Sequence, residues 1–217
     1  MVRTKHHILL YDTGAHIPNG FDVGEAIVSP YLRSQKIHTI DRLIISHGDN
    51  DHSGGADAVV RNFSVNYIET SAPKLIHHFH AMPCVAGENW EWDGVQFAML
   101  YPEKNSLYVD NDSSCVIKMT AENTSVLLTG DIEKKSEAAL VQHYGSALHS
   151  NILLSPHHGS KTSSSDIFLT AVAPNEVIIS AGKYNRYHLP SKSVITRYDH
   201  HHLAIKNTAV LGCTHRT

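Results

Sequence analysis

Three features of this chain predict an α/β fold. Short apolar runs of strand length recur, stretches of helical character lie between them, and glycines and prolines punctuate the boundaries. The strand candidates, in order, are 7–12 (HILLYD), 41–46 (DRLIIS), 125–131 (SVLLTGD), 151–158 (NILLSPHH) and 175–182 (NEVIISAG). The helical candidates are 22–35, 54–63, 133–145, 164–173 and 190–202. The third ends at Gly145, as a helix C-cap should, and the last opens with Pro190 at a first-turn position. Residues 64–120 read as more β-rich and irregular, with a D-G turn inside WEWDGVQFAML. No repeat, linker or low-complexity tract divides the chain, so residues 1–217 form one domain, long enough to bury a core.

Composition narrows the class. Hydrophobic residues at 41% and charged residues at 18% describe a globular protein rather than a disordered one. No run approaches the roughly 18–20 apolar residues of a membrane span, and the N-terminus lacks a signal-peptide pattern. A formal charge of −3 advertises no general affinity for nucleic acid, so a polyanionic substrate would need a local patch or a metal. Cys84, Cys115 and Cys213 are odd in number and carry no C-x-x-C, which indicates neither a disulfide framework nor a thiolate zinc knot. They are expected as plain core or surface residues. The histidine count, 18, is high and needs sorting.

The sorting begins at LIISHGDNDHSGG, where His47, Asp49, Asp51 and His52 fall within six residues directly after an apolar run. Four potential cation ligands at such density suit a metal site better than a solvated loop. Three other strand candidates end in similar chemistry, at Asp12, at Asp131 and at His157 with His158. The C-terminal edge of a sheet is where ligands and catalytic groups gather in α/β folds. Together these four strand ends make one candidate centre.

These residues also carry a resemblance. HGDNDHSGG resembles the H-x-H-x-D-H signature of the metallo-β-lactamase fold, with Asp49 where the second histidine is usual, and YDTG, LTGD and PHHGS match its other motifs in order. PHHGSKTSSS followed by ISAGKYNRYHLPSKSV is similar to the C-terminal domain of the ComEC family of DNA-uptake channel proteins. The resemblance spans nearly the whole chain. It implies an αββα sandwich of two mixed sheets with helices outside. Residues 1–6 lack the expected first strand and its Gly-Asp element, so the domain is expected without that strand. It reads as a piece of a larger bacterial inner-membrane protein, facing the periplasm or the exterior.

The resemblance further implies two divalent ions about 3.5–4 Å apart. His47 and Asp49 would point to one ion, Asp51 and His52 to the other, and Asp131 resembles the bridging carboxylate. The distal ligand is His157 or His158; the fold's habit of placing it before glycine favours His158. Where the fold usually supplies a further histidine, this chain reads VDNDSSCVIKM. Asp112 is the obvious replacement there, Asp110 the runner-up and Asn111 a phosphate contact, with an Asx-rich turn as the bland alternative. Asp12 is placed to orient a ligand histidine or simply to shape its turn. His188 is placed to protonate a leaving oxygen or to bind phosphate, with Asn185 and Arg186 as further donors. Ser160, Lys161, Thr162 and Ser163 offer a phosphate cradle at a helix N-terminus, or the segment is ordinary capping by Ser164 or Ser165. The histidines at 77–80 and 200–202 match no motif and are expected on the surface.

The expected activity is metal-dependent hydrolysis of DNA phosphodiester bonds, with Asp51 orienting an activated water and His188 acting on the leaving group. Oxygen-rich ligation of the first ion favours Mn²⁺, with Zn²⁺ as the alternative. DNA and the channel and other domains of the parent protein are the expected partners. Two other readings stay open: hydrolysis of small esters or phosphocholine groups on the same fold, or a non-catalytic module of a DNA channel. A closed apolar pocket would favour the first, and an open groove lined by Lys161, Arg186 and Arg197 would favour a nuclease.

Overall fold

The continuous apolar runs become strands because both faces of each find buried neighbours. In the computed structural model, which describes residues 1–104 and 110–212, the N-terminal half opens with β1 (Val2–Arg3) and β2 (Ile8–Tyr11). A π-helical turn, Gly24–Val28, runs into α1 (Ser29–Ser34), then β3 (Thr39–Ile40), β4 (Arg42–Ile45), α2 (Asn50–Ser53) and α3 (Ala56–Asn62). β5 (Ser64–Val65), β6 (Ile68–Thr70), α4 (Pro73–Phe79) and β7 (Met82–Pro83) complete this half. The second half begins with β8 (Asn89–Trp92), β9 (Val95–Tyr101), β10 (Val116–Ala121) and β11 (Thr124–Leu128). It then alternates through α5 (Lys134–Tyr144), β12 (Ile152–Leu154), α6 (Asp166–Val172), β13 (Glu176–Ile179), α7 (Lys192–His200), β14 (Ala204–Asn207) and α8 (Thr208–Leu211).

Among the described residues the strands build two mixed sheets. One has the order β1-β2-β4-β6-β7, the other β14-β13-β12-β11-β10-β9-β8, and β3 pairs with β5 apart from both. In the first sheet β2, β4, β6 and β7 run parallel, and in the second β11 through β14 do. The two-residue period of the strands sorts their side chains. Leu9 and Ile44 face Phe97, Met99, Ile117 and Met119 of the other sheet, forming the layer between sheets. Leu10, Leu43 and Ile45 turn the other way and pack with Leu32 and Val59 of the helices. On the far side, Leu127, Leu153 and Val177 pack with Leu140, Phe168 and Tyr198 of α5, α6 and α7. This is the αββα sandwich of the metallo-β-lactamase fold.

Several expectations need correction. Cys84 and Cys115 are not plain cysteines: they form a disulfide, with Cα atoms 5.9 Å apart. Both are buried in the layer between the sheets, so the bond ties the segment after β7 to the start of β10. Partners 31 residues apart carry no local signature, and the odd count hid the pair; Cys213 lies outside the described residues. Where no first strand was expected, the two-residue β1 pairs antiparallel with β2. The irregular stretch holds a helix, α4, opened by Pro73. Pro190 is not in the first turn of α7, whose N-cap is Ser191; it packs instead against Gly159. The D-G turn does close the β8–β9 hairpin, with positive φ at Asp93 and Gly94. His77, His78 and His80 are exposed, as expected of surface residues.

Candidate metal centre

Asp12 follows β2, His47 follows β4, Asp131 follows β11, and His157 with His158 follow β12. Each thus sits past the C-terminal end of a parallel strand, two from one sheet and two from the other. Among the described residues Asp51, His52, Asp131 and His158 bring one ligand atom each within 4.8 Å of one another.

The spacings fit a shared cation. Donor atoms about 2.1 Å from a tetrahedral ion stand roughly 3.4 Å from each other. His52 Nε2 lies 3.2 Å from His158 Nε2 and 3.1 Å from Asp131 Oδ1. His158 Nε2 lies 3.3 Å from Asp51 Oδ2 and 3.5 Å from Asp131 Oδ2. Asp51 to His52 is longer, 3.9 Å.

The proton positions point the same way. The Asp12 carboxylate can only accept, so His52 Nδ1 donates to it at 2.8 Å. It also accepts from the Ser46 amide at 2.7 Å and the Ser46 hydroxyl at 3.0 Å. Ser46 Oγ, having given its proton to Asp12, accepts from His47 Nδ1 at 3.0 Å. His158 Nδ1 donates to the Ser180 carbonyl at 2.7 Å. All three rings therefore commit Nδ1 to an acceptor and leave Nε2 as the nitrogen a metal would take, its proton displaced on binding. His47 Nε2 is buried with no hydrogen-bond partner, and Asp49 Oδ2 stands 3.7 Å from it. Carboxylates and imidazole nitrogens converging in a buried site call for positive charge among them, and the donor set fits a divalent metal.

Local backbone makes the placement possible. Asp12, His157 and His158 hold left-handed φ of 59°, 48° and 53°, a conformation uncommon outside glycine that clusters at functional sites. Asp49 is the N-cap of α2, yet its carboxylate makes no capping bond and is 55% exposed. A Cβ on Gly55 would lie 2.4 Å from the Thr13 carbonyl, so the glycine pair after His52 lets the β2 loop close on α3. Gly130, at φ 54°, lets the chain pass Ser46 and Ser114, whose hydroxyl then accepts from the Asp131 amide at 3.0 Å.

The electrostatics are those of an anionic well. Burial alone would lower the His52 pKa, but Asp12 and Asp131 outweigh it and hold the ring well above its ordinary value. Burial likewise opposes the Asp131 charge, and His52, His158 and His157 keep that carboxyl below its usual value. His47 is depressed, first by burial and then by the neighbouring His52.

Other expected residues stand elsewhere. Asp112 does not join the cluster: its Oδ1 accepts from the Glu133 amide at 3.0 Å and Ser136 Oγ at 2.8 Å, anchoring the start of α5. Asp110 is exposed in the same turn. Asn111 Oδ1 is buried without a partner, and its Nδ2 is 3.5 Å from His157 Nδ1. His157 stands between Glu133 and the quartet, with Nδ1 3.2 Å from Glu133 and Nε2 3.8 Å from Asp131. The phosphate cradle is already filled. Glu137 accepts from the amides of Ser164 and Ser165, Ser163 bonds the Pro156 and Ser160 carbonyls, and Ser160 bonds Thr162. Arg197 turns into the same segment, onto the Ser164 carbonyl and Asp166. Asn185 is committed to its own loop through Gly182 and Leu189, whereas Lys161, Arg186 and His188 are exposed. Ser46, Ser114 and the Ser180 carbonyl were not foreseen; only the adjacency of Ser46 to His47 hinted at one of them.

Residues 1–183 match the metallo-beta-lactamase superfamily. Recombination protein 2 of Haemophilus influenzae is 38% identical over 94% of this chain and 25% of its own length. Competence protein ComA of Neisseria gonorrhoeae is 36% identical over 98% and 29%. ComE operon protein 3 of Bacillus subtilis is 31% identical over 87% and 26%. The chain thus spans about a quarter of the length of these relatives. Among solved structures, a metal-dependent hydrolase of Parabacteroides distasonis has a TM-score of 0.52 at 12% identity, covering 79% of this chain and 77% of its own. A metallo-beta-lactamase of Cronobacter sakazakii has a TM-score of 0.50 at 13% identity, covering 70% and 64%. At such identity these two establish fold alone.

Proposed function

Because the chain belongs to the metallo-beta-lactamase superfamily and is a ComEC-family domain, we propose that it is a divalent-metal-dependent hydrolase of DNA phosphodiester bonds. The observation that carries the metal part is the approach of His52 Nε2, His158 Nε2, Asp51 and Asp131 at ligand-like spacing. In this reading His47, Asp49 and Asp131 would hold one ion, and Asp51, His52 and His158 with Asp131 the second. Such ions would supply Lewis acidity at phosphorus and lower the pKa of water. Asp51, 56% exposed, orients the attacking water through its carboxylate. His188, exposed on the loop before α7, would give its proton to the leaving oxygen.

The DNA part is supported by relatives named for competence and recombination, and by a centre whose Asp49 and Asp51 open to solvent. With Asp112 engaged elsewhere, His47 is the sole imidazole assigned to the first ion, and oxygen ligation favours Mn²⁺ over Zn²⁺ there. Asp49→His should shift the preference toward zinc.

No helix among the described residues is long and apolar enough to cross a membrane. The Cys84–Cys115 bond supports an oxidising surrounding, the periplasm or exterior, with the channel of a longer protein as neighbour. The test is cleavage of DNA and of a small ester by the purified chain, after EDTA and after metal add-back. DNA cleavage restored by Mn²⁺ and absent in EDTA is expected; undiminished cleavage in EDTA, or ester hydrolysis alone, overturns the reading.

A further inference from the structure

The loop between β13 and α7 carries two aromatic rings that the fold does not use. Tyr184 is 90% exposed and Tyr187 65% exposed, although a tyrosine ring normally finds apolar cover. Lys183 Nζ stands 5.7 Å from the centre of the Tyr184 ring, and the Arg186 guanidinium lies over Tyr187 at 4.7 Å. From Val177 through Tyr198 the sequence holds Lys183, Arg186, Lys192 and Arg197 and no acidic residue, in a chain whose net charge is −3.

The loop is also fixed in place against the candidate centre. It leaves at Ser180, whose carbonyl accepts from His158 Nδ1 at 2.7 Å. It returns at Ser191, whose amide donates to the Gly159 carbonyl at 2.9 Å. Between those anchors Asn185 bonds the Gly182 and Leu189 carbonyls and the Leu189 amide, each at 2.8 Å. The rings are therefore presented by a braced loop, at the rim of the site.

We propose that Tyr184 and Tyr187 are a stacking platform for the bases of an unpaired nucleic-acid strand, with Lys183 and Arg186 on its phosphates. Alternating rings and cations match a strand whose bases and phosphates are both accessible; in a duplex the base faces are already covered. The same residues would suit a lipid headgroup layer, but pressing this loop onto a bilayer would also press the adjoining centre onto it. The proposal rests on the hydrolase reading only for its choice of substrate.

The experiment measures binding of the full chain, in EDTA, to a labelled single strand of mixed sequence by fluorescence anisotropy. A duplex of equal length and a strand of abasic sites serve as comparisons. The single strand should bind more tightly than either. Tyr184→Ala and Tyr187→Ala should each weaken it roughly 5- to 100-fold while Tyr→Phe at either position retains it. Both alanine variants should keep the melting temperature, since neither ring is packed. Equal affinity for the abasic strand or the duplex, or no loss in the alanine variants, overturns the proposal. So does loss of flotation with phosphatidylglycerol vesicles in those variants while strand affinity stays unchanged. Cleavage with Mn²⁺ is scored separately: base-dependent binding without cleavage sinks only the hydrolase reading, and cleavage without base-dependent binding sinks only this one.

Discussion

Oδ2 of Asp12 lies 2.8 Å from Nδ1 of His52, and the same carboxylate reaches His47 through the Ser46 hydroxyl. One acidic side chain therefore positions two rings, His47 just past β4 and His52 in α2. Asp12→Asn tolerates the left-handed backbone but can present an amide N–H to His52. Mn²⁺ affinity, read by calorimetry, should fall about 10- to 100-fold with the fold retained. Unchanged affinity would mean that Asp12 only shapes its turn.

Asp131 and His188 should separate metal from rate. Asp131 is buried and faces His52 and His158, so Asp131→Ala should lose bound metal and activity together. His188 is not among the clustered ligand atoms, and His188→Ala should keep its metal while turnover falls by roughly 10²- to 10⁴-fold. Metal content and turnover of both proteins check this; equal metal loss would place His188 among the ligands.

The main lines of fold and centre were legible because they are local. Apolar runs such as ILLY and RLII announce strands, and the residues that follow them are necessarily at the sheet edge. What stayed hidden depends on contacts between distant segments. Nothing near Asp112 says that its carboxylate anchors α5, and nothing near Ser163 says that Glu137, on another helix, fills the cradle. The choice between His157 and His158 turns on which ring finds the Ser180 carbonyl, 22 residues further along the chain.

Away from the centre, Glu69 predicts a pH dependence of stability. Burial raises its pKa from an ordinary 4.5 to about 8; Arg42, 3.1 Å away, opposes this and Glu88 adds to it. The folded chain thus keeps a proton that the unfolded chain releases. Stability from this group is fully present below about pH 4.5 and is lost as pH rises toward 8. At roughly 1.4 kcal/mol per pH unit at most, the loss reaches a few kcal/mol. Urea unfolding at pH 5 and pH 8 should show Glu69→Gln with a flatter profile and a gain at the higher pH. A wild-type profile that is already flat would refute the assignment.

Reduction of the Cys84–Cys115 bond, or the double Cys→Ala change, should cost about 2–4 kcal/mol, because it frees a 31-residue loop in the unfolded chain. The loss is expected in urea unfolding with and without reductant. Equal midpoints in both would show that the bond does not form in solution.

The donors of the centre arrive from both sheets: His47 and His52 from the edge of one, Asp131 and His158 from the edge of the other. An ion held among them is consequently a crosslink between the two layers as well as a reagent. Thermodynamic reciprocity then applies: whatever factor the ion adds to the docking of the sheets, parting the sheets removes from the ion's affinity. Tension transmitted from a longer polypeptide would reach the ion by this route without touching a ligand. A chain with only one half folded would carry no complete set of donors.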